Sequence, residues 1–195
     1  TGHGDKCGGH FSQWFRKNCP NWEAMQDPSN ELPHNYTCPQ AYRTPIPEEY
    51  YPTRYVGARA ADWIREQADS VDPFFAYVSF PDPHHPFNPP GKYWNMYDPD
   101  DFEVALPYER HQNPTPPMQW MDDQWRQGRI PGLKTTARRV GDQELREAMA
   151  LTAGMITMVD DEVGRLIEVL KDTDQFENTV ICFNSDHGDY LGDFS

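Results

Sequence analysis

Two short apolar runs in this chain each empty into a polar loop carrying histidine, and no other feature narrows the possible folds as far. The first, Phe74-Phe75-Ala76-Tyr77-Val78-Ser79-Phe80, leads into Pro81-Asp82-Pro83-His84-His85-Pro86-Phe87-Asn88-Pro89-Pro90. The second, Thr179-Val180-Ile181-Cys182-Phe183, leads into Asn184-Ser185-Asp186-His187-Gly188-Asp189. Nearly continuous β-branched and aromatic residues over so short a span read as strands buried on both faces. In an open α/β sheet, ligands gather beyond the carboxyl ends of the strands, where loops project side chains into a shared crevice. Asp186 and His187 offer a hard oxygen and an imidazole nitrogen on consecutive residues, and Gly188 lets the backbone turn so that both face one cation. In the other loop the prolines fix φ, so His84 and His85 are held with little entropy left to lose. On local sequence alone, a functional loop and a proline-braced loop whose histidines merely satisfy backbone groups are both open. The repetition of strand then histidine favours function.

Helical periodicity fills the intervening chain. From Val56 to Asp69, apolar residues at Val56, Ala60, Trp63, Ile64 and Ala68 keep the spacing of an amphipathic helix. A longer stripe, from Leu145 through Leu151, Met155, Val159 and Leu166 to Leu170, predicts a helix over 142–170 with Asp142 as its N-cap. Gly154 and Gly164 each weaken that helix by about 1 kcal/mol relative to alanine, which points to close packing against a sheet. Helix, loop, strand and polar loop follow the βαβ rhythm, so the expected class is α/β. Four segments result: an irregular surface segment (1–52, with a short helix near Gly9–Phe15 that Ser12 caps), a helix-strand-histidine-loop unit (53–90), a loop-rich excursion (91–141) and a helix-strand-metal-loop unit (142–195). In the excursion, Trp94, Trp120 and Trp125 are expected to pack it onto the body, and Lys134, Arg138 and Arg139 to form a solvated basic turn. Asp160 and Asp161 diverge by about 100° on a helix, too far to hold one ion easily, and read as a solvated face.

Charge and cysteine content exclude some partners. Acidic residues outnumber basic ones 31 to 17, giving a formal charge of −14, so nucleic acid and anionic membrane are disfavoured by repulsion. No apolar run approaches a membrane span, and no signal segment is visible. Four cysteines are too few for a disulfide scaffold and are not spaced as a zinc site. Cys182 is expected as a small apolar filler in the core strand. Cys7, Cys19 and Cys38 leave room for one disulfide, and Asn35-Tyr36-Thr37 matches a glycosylation sequon.

Three motifs in order carry a resemblance: Pro83-His84-His85-Pro86-Phe87 after an apolar run, Met158-Val159-Asp160-Asp161-Glu162-Val163-Gly164-Arg165-Leu166 on a long helix, and Asn184-Ser185-Asp186-His187-Gly188-Asp189-Tyr190-Leu191-Gly192-Asp193. Together with the approach Pro47-Glu48-Glu49-Tyr50-Tyr51-Pro52-Thr53, this pattern resembles the sulfatase family of the alkaline-phosphatase-like superfamily. The resemblance implies a mixed, mostly parallel sheet flanked by helices, a divalent cation (calcium in most sulfatases, manganese in some relatives), and hydrolysis of a sulfate or phosphate ester of a small molecule or carbohydrate. It implies Asp186 and His187 as metal ligands, the latter where many sulfatases carry Asn. It also implies His84 as the catalytic histidine beside the scissile ester, since the family pattern reads Pro-His-x-Pro, with His85 contacting substrate. A secreted or periplasmic setting goes with the family.

The departures are equally specific. The family nucleophile lies in a Cys/Ser-x-Pro/Ala-x-Arg motif and is converted to formylglycine; here Cys38-Pro39-Gln40-Ala41-Tyr42 and Cys19-Pro20-Asn21-Trp22-Glu23 both fail at the third and fifth positions. The paired aspartates of the family's first strand and the lysine after the final motif are absent too. The expectation is an internal piece of a longer enzyme, with the nucleophile outside this chain. Two other readings stand beside it: a phosphonate monoester or phosphodiester hydrolase on the same scaffold, and a non-catalytic acidic binding module. All of them turn on whether the two polar loops converge in space.

Overall fold

The computed structural model describes residues 9–107, 110–129 and 140–192, and at Trp125 the backbone alone. Five α-helices are described: α1 (His10–Asn18), α2 (Trp22–Gln26), α3 (Pro52–Glu66), α4 (Pro116–Arg126) and α5 (Asp142–Asp172). Single 3₁₀ turns, such as Gly91–Asn95, join them.

The spine is α5, whose 31 residues make a rod of about 46 Å. Its apolar stripe serves three clusters in succession. Ala148, Leu151 and Met155 close over Cys38, Ala41, Phe87 and Trp94. Met158 packs with Tyr51 and Tyr93. Val169 and Leu170 meet Ala61 and Ile64. The helix ends where Asp174 adopts φ 56°, so that Gln175 N–H reaches the Leu170 carbonyl (2.8 Å) and Asp174 N–H that of Lys171 (3.1 Å). This αL stop satisfies carbonyls that the helix itself leaves open.

Helix α3 starts with Pro52 at its first turn, where the missing N–H is no loss. It lies beside α5 in the same direction: Tyr51 meets Met158, Arg54 meets Glu162, and Ile64 meets Val169 and Leu170. Glu162 is only 2% exposed. One of its oxygens, Oε1, accepts from Arg54 Nη1 at 2.9 Å and lies 3.4 Å from Arg165 Nη1. Burial pushes the Glu162 carboxyl up, and the Arg54 charge opposes that. Gly57 is required across this contact, because a Cβ there would collide with the Glu162 carboxylate.

The segment before α3 wraps the N-terminal end of α5. Buried Glu147 accepts from the backbone N–H groups of Thr37 and Cys38, both at 2.7 Å. Two adjacent amides on one carboxylate bind a loop to a helix without secondary structure. Tyr36 stacks on Trp94 (5.3 Å between centroids, 24° between planes), and Arg43 stands 5.8 Å over the same indole.

The α/β expectation is not met. Among the described residues there is no strand and no sheet, and the one β contact is an isolated parallel bridge between Ala41 and Phe87. Neither apolar run is buried: Phe75 is 88% and Tyr77 82% exposed, and Val180 91% and Phe183 77%. A strand exists through its ladder of inter-strand hydrogen bonds. An apolar run reports a tendency toward burial and says nothing of which segment would pair with it. Phe74, against Trp63 at 5.3 Å, draws the start of the first run onto the helices.

Other corrections follow from the same packing. Cys182 is exposed rather than a core filler, and Cys19 and Cys38 are free thiols. Gly141, not Asp142, is the N-cap of α5, and Gly9 rather than Ser12 that of α1. Gly154 does fit a close approach, though to the Tyr93 carbonyl and not to a sheet, whereas Gly164 faces open space. Asp161 is no idle surface group: it accepts from Tyr93 Oη (2.5 Å) and Lys92 Nζ (3.2 Å). Trp94 packs the excursion down as expected, while Trp120 is 62% exposed on α4. Cys7, Lys134, Arg138 and Arg139 lie outside the described residues.

Candidate functional site

The loop carrying His84 and His85 is fixed along most of its length. Phe87 is buried in the α5 core, and its backbone is tied to the wrapping segment: Phe87 N–H donates to the Gln40 carbonyl (2.9 Å) and Tyr42 N–H to that of Phe87 (3.1 Å). Pro89 and Pro90 are buried as well, Pro89 beside Gly154. At the other end, Asp82 Oδ2 accepts from the hydroxyl of Thr53 on α3. Tyr51 Oη lies 3.4 Å from Asp82 Oδ1 and donates to Asn88 Oδ1 at 3.0 Å. Asp82 as a residue is half-buried, yet its carboxylate sits at the covered end; burial raises that carboxyl to about 6, against the pull of its two hydroxyl donors.

Within this frame the two imidazoles stand 4.3 Å apart between ring centroids, tilted by 32°. His84 is exposed, and its Nδ1 lies 2.6 Å from the His85 carbonyl. With the Nδ1 proton committed to that carbonyl, any proton exchanged with a bound molecule passes through Nε2. His85 is half-buried, and its pKa is lowered first by burial and then by the His84 charge, with the Asp189 carboxylate acting the other way.

The second loop is built differently. Asp186 and His187 have side chains 89% and 74% exposed. Their contacts are local. His187 N–H donates to Asp186 Oδ1 (2.9 Å), His187 Nδ1 reaches the Gly188 carbonyl (2.8 Å), and Ser185 Oγ donates to the His187 carbonyl (2.5 Å). The His187 pKa is raised, first by the Gly188 carbonyl and then by the Asp186 charge. Beyond Asp189 the chain turns back onto α5. Leu191, at φ 39°, takes Asp189 Oδ1 as acceptor for its N–H (3.3 Å) and packs on the cluster containing Phe87. Gly192 lies against Met149 and Leu145 at φ 101°, a conformation that side chains disfavour.

The end of the second loop thus reaches towards the first, Leu191 sharing the Phe87 cluster and the Asp189 carboxylate acting on His85. Asp82, Tyr51, Thr53, Asn88 and Asp189 were not among the sequence-derived site residues. Asp82 and Asn88 flank the prolines, and Tyr51 and Thr53 stand in the approach Pro47–Thr53, but nothing in the local sequence joins the two. A shallow recess of about 130 Å³, sharing Pro86 with this loop and walled by Pro39, Ala41 and Tyr42, is too small to bury a ligand of ordinary size.

Asp186 and His187 suit a divalent cation by chemistry. One is a carboxylate, and the other presents Nε2 to the same side (3.8 Å from Asp186 Oδ2) because its Nδ1 is held on a backbone carbonyl, the usual way a ligating imidazole is oriented. By number they fall short, since no group of three or more His, Cys, Asp or Glu able to hold a metal occurs among the described residues.

Comparison with known proteins now bears on this geometry. The family model described as Sulfatase matches residues 3–194. An arylsulfatase of Clostridium perfringens is 31% identical over 146 residues, covering 75% of this chain and 28% of the relative. A multifunctional alkaline phosphatase superfamily protein, PehA, of Trinickia caryophylli is 31% identical over 155 residues (76% and 29%). Human iduronate 2-sulfatase is 27% identical over 177 residues (89% and 32%). This chain belongs to the sulfatase family. It spans about three tenths of the length of these curated relatives.

Proposed function

We propose that the protein carrying this chain is a metal-dependent sulfuric ester hydrolase and that these residues supply one side of its active site. Support comes chiefly from the meeting of the two loops on one helix: Leu191 packs into the Phe87 cluster, and the Asp189 charge acts on His85. In this reading His84 acts through Nε2, hydrogen-bonding the transferring group or protonating the leaving oxygen, which must take up a proton as the ester breaks. His85, beside it, contacts the sulfate. Asp186 and His187 furnish two of the donors for a divalent cation, calcium by family preference with manganese as the alternative, the remaining donors lying outside the described residues. Such a cation supplies positive charge to the oxygens of the transferring group. The formylglycine nucleophile likewise comes from outside these 195 residues, which hold no matching motif. The substrate is a sulfate ester of a small molecule or carbohydrate.

A second reading, phosphonate monoester or phosphodiester hydrolysis on the same scaffold, is favoured by histidine at 187. Initial rates of the full-length protein on an aryl sulfate and an aryl phosphonate distinguish the two, and sulfate turnover is expected to dominate. Asp186→Ala is expected to lower that turnover about a hundredfold or more and to abolish metal uptake measured by elemental analysis. Loss of metal uptake and turnover together would exclude the non-catalytic binding module, whereas unchanged metal content in that variant would remove Asp186 from the metal site.

A further inference from the structure

The histidine loop is closed at its neck by a part of the molecule that the reaction does not use. Asp82 and Asn88 bracket Pro83–Phe87, and the Tyr51 hydroxyl sits between them, 3.4 Å from Asp82 Oδ1 and 3.0 Å from Asn88 Oδ1. The Thr53 hydroxyl donates to the other Asp82 oxygen. Both anchors belong to the start of α3 and are enclosed: Tyr51 is 4% exposed and Thr53 fully buried. Such side chains lose their water on folding, so their hydroxyls need these partners. Burial also raises the Tyr51 phenol well above its ordinary value, which keeps it a proton donor at any physiological pH.

Two buried hydroxyls that hold the two ends of a short proline loop, Thr53 on Asp82 and Tyr51 on Asn88, fix more than the ends. The five residues between them include two prolines, Pro83 and Pro86, and end on Phe87, which is immobile in the core. What freedom remains to the His84 and His85 backbone is a hinge about the neck, and Tyr51 and Thr53 occupy that hinge.

We propose that Tyr51 and Thr53 are positioning residues for the two imidazoles, holding them through Asp82 and Asn88 at the start of α3. The catalytic consequence rests on the reading of His84 given above; the mechanical tie does not. A misplacement of about 1 Å at a reacting group costs up to about 100-fold in rate.

The test uses the intact protein in four forms: wild type, Tyr51→Phe, Thr53→Val and Thr53→Ser. Tyr51→Phe removes one oxygen and keeps the ring in its slot. Histidine-selective ¹⁵N NMR, with His84 and His85 assigned by single substitution, reports the imidazoles directly, and steady-state kinetics on an aryl sulfate reports the reaction. Expected are displaced imidazole resonances for both histidines in Tyr51→Phe and Thr53→Val, wild-type resonances in Thr53→Ser, and kcat lowered about 10- to 100-fold with KM within about twofold in the first two variants. Imidazole resonances that superpose on wild type in both Tyr51→Phe and Thr53→Val would overturn the proposal, whatever the rates. A wild-type protein without turnover would sink the hydrolase reading alone, since the resonances still decide the tie. Should Tyr51→Phe fail to fold, Thr53→Val against Thr53→Ser decides by the same signals.

Discussion

The histidine loop and the Asp186–His187 loop both serve the proposed reaction, yet they are held in opposite ways. The first is threaded through the core: Phe87 is buried, Pro89 lies against α5, and the neck is closed by Tyr51 and Thr53. The second is exposed from Val180 to Tyr190 and is held by bonds within itself, until Leu191 and Gly192 return it to α5. A group that transfers a proton must be held before the substrate arrives, because its benefit depends on preset geometry. Metal-binding side chains can be drawn into place by the ion, whose binding energy contributes to ordering them.

The largest test of this contrast is mechanical. Phe87→Ala is expected to destabilise the fold by about 3–5 kcal/mol, the cost of an emptied aromatic site. Phe183→Ser, 77% exposed in the other segment, is expected to stay within about 0.5 kcal/mol. Urea unfolding of both variants measures this, and equal costs would erase the distinction.

A smaller effect comes from pH. Since the folded protein holds the Asp82 proton more tightly than the unfolded chain, with the carboxyl raised from 3.8 to about 6, its stabilising contribution is full below about 3.8 and is lost as pH rises through about 6. The loss is on the order of 3 kcal/mol. Comparing wild type with Asp82→Asn by urea unfolding at pH 4, 6 and 8 isolates it: the difference between the two is expected to shift in favour of the variant as pH rises, and a constant difference would contradict the raised carboxyl.

The smallest effect belongs to the open loop. A Cβ added at Gly188 meets nothing within 4 Å, so Gly188→Ala is expected to leave the unfolding midpoint unchanged, within about 0.5 kcal/mol. A large loss would mean that this loop is more tightly held than its exposure indicates.

How far the sequence could be read follows the same division. The stripe from Leu145 to Leu170 specified α5 within two residues, because its partners, Ala61, Ile64, Phe87 and Trp94, are all present to receive it. The runs 74–80 and 179–183 have strand composition, but composition names no partner, and among the described residues none is there. His84, His85, Asp186 and His187 were legible as chemistry. Their support was not: a tyrosine and a threonine at the start of a helix look like any other pair until the loop from thirty residues later folds over them. Glu147 and Glu162 were equally silent, since a glutamate on an amphipathic helix ordinarily marks the wet side, and here both are buried against donors from distant segments.

Two seats of the site lie close together on α5, and that has a consequence for length changes. The Phe87 cluster and the Leu191 contact draw on α5 at Leu151 and Met155, while Tyr51 draws on it at Met158, less than one turn further along. A single inserted residue between Met155 and Met158 would rotate the second seat by about 100° relative to the first. Helix α3 and the core seat of the loop would then demand different orientations of the same axle. The stretch of α5 between those methionines is therefore expected to admit substitution but not a change of count.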